Sequence, residues 1–274
     1  MKSFLRWAGS KRSVLRHLRA HWPGGDVRYV EPFCGSACLF FDLQPSRAIL
    51  GDLNEELVGT LRAVKNTPQL VLASLRRFQK GKRFYNKLRS TSPQLLAEAD
   101  RAARFVYLNR HCFNGIYRTN SKGQFNVPYA PPKKCVAVDE RVLLSTSEAL
   151  AGVLMVHGDF EETLARVQGG DFVYLDPPYC TDKRRIFSEY MPGSFALSDL
   201  DRLSGALHRL DKLGATFLIS YADSPEARKL LKPWHQRRIR VRRHIAGFGC
   251  HRRHAFELLA TNKARPRGEV FDDE

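Results

Sequence analysis

An α/β fold built on a parallel sheet is the class this chain predicts, on three observations. Short apolar runs recur at residues 27–30, 48–51 and 171–175, with two more at 215–220 and 256–261. Each ends in polar, Gly or Pro residues, the punctuation expected of a buried strand. Helical patterns lie between the runs, and strands alternating with helices belong to a parallel sheet. In open sheets of this kind ligands bind beyond the carboxyl ends of the strands. The loops after Val30, Gly51 and Leu175 are therefore expected to share one crevice.

The elements follow in order. Val27-Arg28-Tyr29-Val30 runs into Glu31-Pro32-Phe33-Cys34-Gly35-Ser36-Ala37, and Ala48-Ile49-Leu50-Gly51 ends at Asp52-Leu53-Asn54. Between about residues 59 and 150 the texture changes: 61–75 and 93–108 read as helices, and 109–132 as a polar loop. This block interrupts the strand–helix alternation, so it reads as an inserted, mostly helical module at 59–150, with residues 1–58 and 151–274 forming the sheet domain. Asp171-Phe172-Val173-Tyr174-Leu175 then ends at Asp176-Pro177-Pro178-Tyr179. Residues 215–220 are expected to be another inner strand, 256–261 a terminal strand, and 265–274 a frayed tail.

Charge narrows the class. The 274 residues carry 45 Lys and Arg against 28 Asp and Glu, a formal net charge of +17. Such an excess suits a polyanionic partner, because each neutralised phosphate releases counterions. No apolar run is long enough to span a bilayer, and the first residues lack the apolar core of a signal peptide. The six cysteines are scattered without CxxC pairs, which fits a reducing cytoplasm. Cys250-His251-Arg252-Arg253-His254 offers metal-ligating types but no second ligand pair at zinc-site spacing, so no metal is expected. Arg76 to Arg83 and Arg237 to Arg243 are basic stretches that suit phosphate contacts.

Four motifs bear on chemistry. In Asp176-Pro177-Pro178-Tyr179, a carboxylate and a neighbouring carbonyl can accept hydrogen bonds from both protons of an exocyclic amine such as adenine N6, directing its lone pair at an electrophile. The prolines hold that carbonyl in an extended turn, and Tyr179 can stack on a purine. Alone, the tetrapeptide also reads as a turn closing a strand. Gly35 permits close approach to the main chain. Asp52, ending the next strand, can accept two ribose hydroxyls, or equally serve a turn or helix cap. Phe4-Leu5-Arg6-Trp7-Ala8-Gly9-Ser10-Lys11-Arg12 suits the amino-acid end of a cofactor, or a helix start capped by Ser10. Within residues 109–129, Arg and Asn side chains suit bidentate contacts to base edges, and Phe113 and Tyr117 suit a wedge into the base stack. A polar surface loop is the alternative.

Together these motifs resemble the Dam-like (D12 class, alpha-group) DNA adenine-N6 methyltransferases, over nearly the whole chain to about Asn262. The resemblance implies a Rossmann-like methyltransferase sheet carrying an inserted target-recognition domain, and S-adenosylmethionine as methyl donor. It implies cofactor contacts from Trp7, Lys11, Phe33, Gly35, Asp52, Asp159, Phe160 and Asp176, with Asp176, Pro177 and Tyr179 acting on the target amine. Arg110, Phe113, Asn114, Arg118, Asn120 and Lys122 would meet duplex DNA. A GATC-like site is expected from the wording of the 109–129 loop. Family members occur as orphans and beside a cognate restriction endonuclease; a monomer or weak dimer at the nucleoid is expected. Two positions depart from the family pattern: Ser10 replaces a common glycine, and Ala37 stands where many relatives have a second glycine. Alanine is unfavourable at positive φ. Methylation of RNA adenine or of a protein amide could use a similar tetrapeptide, and a DNA-binding regulator would share the charge but not need Asp176.

Overall fold

A computed structural model describes residues 1–130, 138–179, 195–242 and 254–263. Among the described residues seven strands run β1 Tyr29–Glu31, β2 Ala48–Asp52, β3 Val153–His157, β4 Phe172–Leu175, β5 Thr216–Ala222, β6 His235–Arg242 and β7 His254–Thr261. The helices are α1 Leu15–Arg19, α2 Cys38–Leu43, α3 Glu55–Asn66, α4 Pro68–Arg77, α5 Lys82–Ser90, α6 Glu98–His111, α7 Glu140–Leu150, α8 Phe160–Leu164, α9 Leu197–Lys212 and α10 Pro225–Leu231.

The strands form one sheet in the order β3-β2-β1-β4-β5-β7-β6. Pairing is parallel from β3 across to β5, with Val30 opposite both Ile49 and Val173. β7 then runs antiparallel between β5 and β6. Chain order reverses between β1 and β4, which opens a crevice at their carboxyl ends.

The inner strands read as unbroken apolar runs because both faces of the sheet are covered. Successive side chains point to opposite faces, and the core divides accordingly. Tyr29, Leu50, Phe172, Tyr174 and Leu218 join Leu18, Phe40 and Leu61 in one cluster. Val30, Ile49, Val173, Leu175, Phe217 and Ile219 join Leu203, Leu207 and Leu210 of α9 in the other. Each such buried side chain contributes about 1.5–3 kcal/mol relative to exposure. On β2, Gly51 leaves no room for a side chain: a Cβ there would lie 2.0 Å from Thr163 Oγ1 of α8.

Helices α3 to α7 lie between β2 and β3 in the chain. Leu57, Val58, Leu61, Val71, Phe105 and Leu143 belong to the first sheet core. A third cluster of Tyr85, Leu88, Tyr107, Leu108, Cys112, Phe125 and Val127 ties α5 and α6 to the segment after them.

Several expectations need correction. The run at 61–75 is two helices, because Pro68 opens α4 and disfavours helical geometry at Thr67, which sits at φ −139°. The helix expected at 93–108 is a 3-10 turn, Pro93–Leu95, followed by α6. Both α5 and β3 escape a reading by apolar pattern alone. The 109–132 loop opens with the last turn of α6, and its tip is a hairpin in which Thr119 bridges Phe125. Ser10 stands at the N-cap of the 3-10 turn Lys11–Val14, but its hydroxyl does not cap it. Residues 250–253 of the Cys250–His254 cluster, and most of the tail after Asn262, lie outside the described residues. Among the described residues no helix is long and apolar enough to cross a membrane.

Candidate active site

The three strand-end loops meet. A cleft of about 1370 Å³ is lined by Trp7, Lys11, Phe33, Gly35, Asp52, Asp159, Phe160, Asp176, Pro177 and Tyr179, so every residue expected to touch cofactor or target amine faces one space. Asn120 and Lys122 reach it from the hairpin, and Arg89 and Thr91 from the end of α5. Arg110, Phe113, Asn114 and Arg118 do not line it.

Asp52 is built into a backbone cradle. Its Oδ2 accepts the Gly35 N–H at 2.9 Å and its Oδ1 accepts the Asn54 N–H at 2.9 Å. Asn54, rather than Asp52, caps α3, accepting from the Leu57 N–H. Burial raises the Asp52 pKa, and the Asn54 and Gly35 N–H groups pull it back. Phe33 stacks on Phe160 with centroids 5.3 Å apart, forming an aromatic wall. Asp159 caps α8 through the Glu161 N–H, and Arg202 bonds Asp159 while lying 4.7 Å above the Phe160 ring.

Gly35 has φ +47°, and a Cβ there would come within 2.8 Å of the Trp7 indole. The close approach that glycine permits is taken by Trp7. The indole in turn stacks on Tyr117 at 6.0 Å. Tyr117 also packs on Phe105 and Phe125, so it belongs to the cleft wall rather than to an exposed wedge. Ala37, fully buried, sits at φ 49° as the N-cap of α2. A non-glycine residue held there is strained by about 1–3 kcal/mol.

Around Asp176 the polar groups form a connected set. Lys11 Nζ lies 2.9 Å from Asp176 Oδ1, and the Ser220 hydroxyl donates to the same oxygen at 3.0 Å. Lys11 also donates to the Tyr179 hydroxyl at 3.0 Å. Tyr179 donates to Glu257 Oε1 at 2.9 Å. Burial works to lower the Lys11 pKa, but Asp176, Tyr179 and Glu257 outweigh it and hold the ammonium above its ordinary range. Burial raises Asp176, against the opposing pull of Lys11. Glu31, buried beneath and bonded to the Tyr29 hydroxyl, is pushed well up, chiefly by burial.

Glu257, Ser220 and Tyr174 join the site, although none of them was assigned a role there from the sequence. Glu257 does carry a signal: an acidic residue inside the apolar strand Phe256-Glu257-Leu258-Leu259 is rarely buried without a reason.

The recognition candidates are used differently from one another. Asn109 is 3% exposed, and its amide bonds both the Arg6 N–H and the Arg6 carbonyl, pinning the N-terminal segment to α6. Arg110 is partly buried with Nη2 on the Phe4 carbonyl. Asn120 spends its Oδ1 on the Lys122 and Gln124 N–H groups, closing the hairpin turn. Phe113 is 44% exposed, and Asn114 is exposed at φ 53°. Arg118 is exposed with Nε on Asn126. Of the basic stretch, Arg76 and Arg77 pair with Glu140 and Asp100 at 2.6 and 2.7 Å. Lys82, Arg83 and Lys87 of α5 are exposed and pair with no carboxylate among the described residues.

Comparison with known proteins gives a consistent picture. A family model described as D12 class N6 adenine-specific DNA methyltransferase matches residues 7–245. The chain is 35% identical over 271 residues to a type II methyltransferase of Lactococcus lactis subsp. cremoris, covering 96% of this chain and 95% of the relative. It is 34% identical over 286 residues to a type II methyltransferase of Methanocaldococcus jannaschii, covering 96% and 99%. A DNA adenine methylase of Escherichia coli is 32% identical over 271 residues, covering 96% and 95%.

Proposed function

The chain belongs to the D12 class of N6 adenine-specific DNA methyltransferases, and on that premise we propose that it moves a methyl group from S-adenosylmethionine to adenine N6 within a GATC-like site of duplex DNA, in the cytoplasm at the nucleoid. The observation that carries this reading is the Asp176 carboxylate. Its Oδ1 is occupied by Lys11 and Ser220, and among the described residues its Oδ2 has no hydrogen-bond partner. One acceptor therefore remains for an amine proton.

The cleft suits the cofactor. When bound, S-adenosylmethionine supplies a methyl group on a sulfonium, electrophilic enough for a weak nitrogen nucleophile. Asp52, already oriented by two N–H donors, retains lone pairs for the ribose hydroxyls. The Phe33–Phe160 pair offers an apolar face to a purine. Trp7 and Gly35 close the neighbouring wall.

The adenine must leave the stack to reach Asp176, at a cost of a few kcal/mol that contacts in the pocket offset. There Asp176 and the neighbouring backbone carbonyl accept hydrogen bonds from the two N6 protons, which turns the nitrogen lone pair outward, and the nitrogen gives up one of those protons once it carries the methyl group. Tyr179 stacks on the base. Target recognition falls to residues 59–150. Arg118 and Asn114 read base edges, Phe113 fills the stack, and Arg110, Asn120 and Lys122 shape and flank that surface. Phosphate anchoring falls to Lys82, Arg83 and Lys87 rather than to the paired Arg76 and Arg77.

Asp176→Ala tests the assignment. Loss of a group that acts most strongly in the transition state costs about 10²–10³ in rate. Turnover with labelled S-adenosylmethionine is expected to fall that far while duplex binding persists. Near-normal methylation by the variant contradicts the mechanism. Label appearing in RNA or protein, and not in duplex DNA, contradicts the substrate.

A further inference from the structure

Glu257 occupies a costly position. It lies on β7, opposite Ala222 of β5 and Ile239 of β6, and is 5% exposed. Burying a carboxylate costs several kcal/mol unless partners compensate. Strand pairing does not require it, because the ladder is made by backbone groups.

Two partners of Glu257 among the described residues, Tyr179 and Lys11, are site residues. Oε1 accepts the Tyr179 hydroxyl at 2.9 Å and lies 3.5 Å from Lys11 Nζ. Burial pushes the Tyr179 phenol up to about 12, so it stays a neutral donor. Its one proton goes to Glu257, and its oxygen accepts from Lys11. The hydroxyl is thereby held from two sides, while Tyr221 meets the ring edge-on at 5.4 Å. A ring restrained at its hydroxyl cannot swing about χ1 without breaking charge-assisted bonds, which are roughly twice as strong as neutral ones.

We propose that Glu257 is a positioning residue of the transfer site, acting through the Tyr179 hydroxyl to hold the Tyr179 ring where the target adenine is received. This rests on the methyltransferase reading above and assigns β7 a part in it. The antiparallel strand, set between β5 and β6, brings a carboxylate behind the tetrapeptide that ends β4.

The test is a mutant cycle on the full chain, read as steady-state methylation of duplex DNA with S-adenosylmethionine. The variants are Glu257→Ala, Glu257→Gln, Tyr179→Phe and the doubles. Glu257→Ala is expected to lower kcat about tenfold while both KM values stay within about twofold, the pattern of an interaction made only in the transition state. Glu257→Gln keeps a neutral acceptor and is expected to lose only about threefold. Neither substitution is expected to lower kcat further once Tyr179→Phe has removed the donor, since residues acting through one hydrogen bond are not additive. Losses that multiply in the double variants overturn the proposal. So does a Glu257→Ala kcat within twofold of the unmodified chain, or a Gln variant no better than Ala. If Glu257→Ala fails to fold by its Tm, the Gln cycle carries the same decision. Transfer by the unmodified chain separates the two readings: its absence defeats the proposed function, whereas transfer with multiplying losses defeats only the role of Glu257.

Discussion

Asp176 presents its two oxygens to unequal surroundings, and that asymmetry sets its chemistry. Oδ1 is occupied by Lys11 and Ser220, whereas among the described residues Oδ2 has no hydrogen-bond partner and is the acceptor proposed for the substrate. Among the described residues, the charged and titratable groups around it are Lys11 from the N-terminal 3-10 turn, Glu31 of β1, Cys38 of α2, Tyr174 of β4, Tyr179, and Glu257 of β7. Burial raises its pKa and Lys11 lowers it. Transfer needs the ionised form, so kcat is expected to fall on the acid side at a pH above the ordinary carboxylate range. Lys11→Met removes the lowering influence, which raises the Asp176 pKa and moves that acid limb to higher pH. A pH profile of kcat checks the sign; a limb that stays put or moves to lower pH contradicts it. The role proposed for Asp52 is in holding the cofactor instead. Asp52→Ala is expected to weaken S-adenosylmethionine binding by roughly 1.5–3 kcal/mol, the worth of hydrogen bonds to a charged group. Calorimetry on the free protein measures this, and an unchanged Kd contradicts the cradle assignment. Asp52 and Asp176 were legible because each directly ends an apolar run. Asn109 was not: as a polar residue beside Arg110 it read as part of a base-reading loop, and only the fold brings it onto the Arg6 backbone.

At the scale of elements, α4 and α5 divide the basic stretch. Arg76 and Arg77 end α4 and are spent on Glu140 and Asp100, partners 64 and 23 residues away in sequence. No local pattern announces pairs so distant. Lys82, Arg83 and Lys87 on α5 have no carboxylate partner among the described residues and suit phosphates. Replacing these three is expected to reduce the slope of log affinity against log salt by about 0.9 for each phosphate no longer neutralised, equally on all sequences. Arg76→Ala with Arg77→Ala is expected to leave the slope nearly unchanged. Binding titrations across a salt series decide between them, and the reverse pattern contradicts the division. Strands were easier to read than helices. β2, β4 and β5 stand out as apolar runs because both faces are covered. β3 is an edge strand with Leu154 49% exposed, and its bounding Gly152 and Gly158 were the available cue. The break between α3 and α4 was also written in the chain, as Thr67-Pro68.

For the molecule as a whole, the sheet order and the cleft derive from one arrangement. Chain order reverses between β1 and β4, so the loops after β1, β2 and β4 converge. The convergence was legible in the sequence, since acidic, Gly and Pro residues follow each run. The antiparallel placement of β7, and with it Glu257 behind Tyr179, was not, because an apolar run does not state its direction. The central claim joins this cleft to a basic surface: a formal charge of +17 to hold duplex DNA, and Asp176 to direct a methyl group to one adenine nitrogen. The most direct test incubates the purified chain with S-adenosylmethionine and a randomised duplex library, then reads modified bases at single-nucleotide resolution. The account predicts N6-methyladenine confined to a GATC-like sequence and abolished by Asp176→Ala. Duplexes without modified adenine, or with the methyl group on another base, would contradict it.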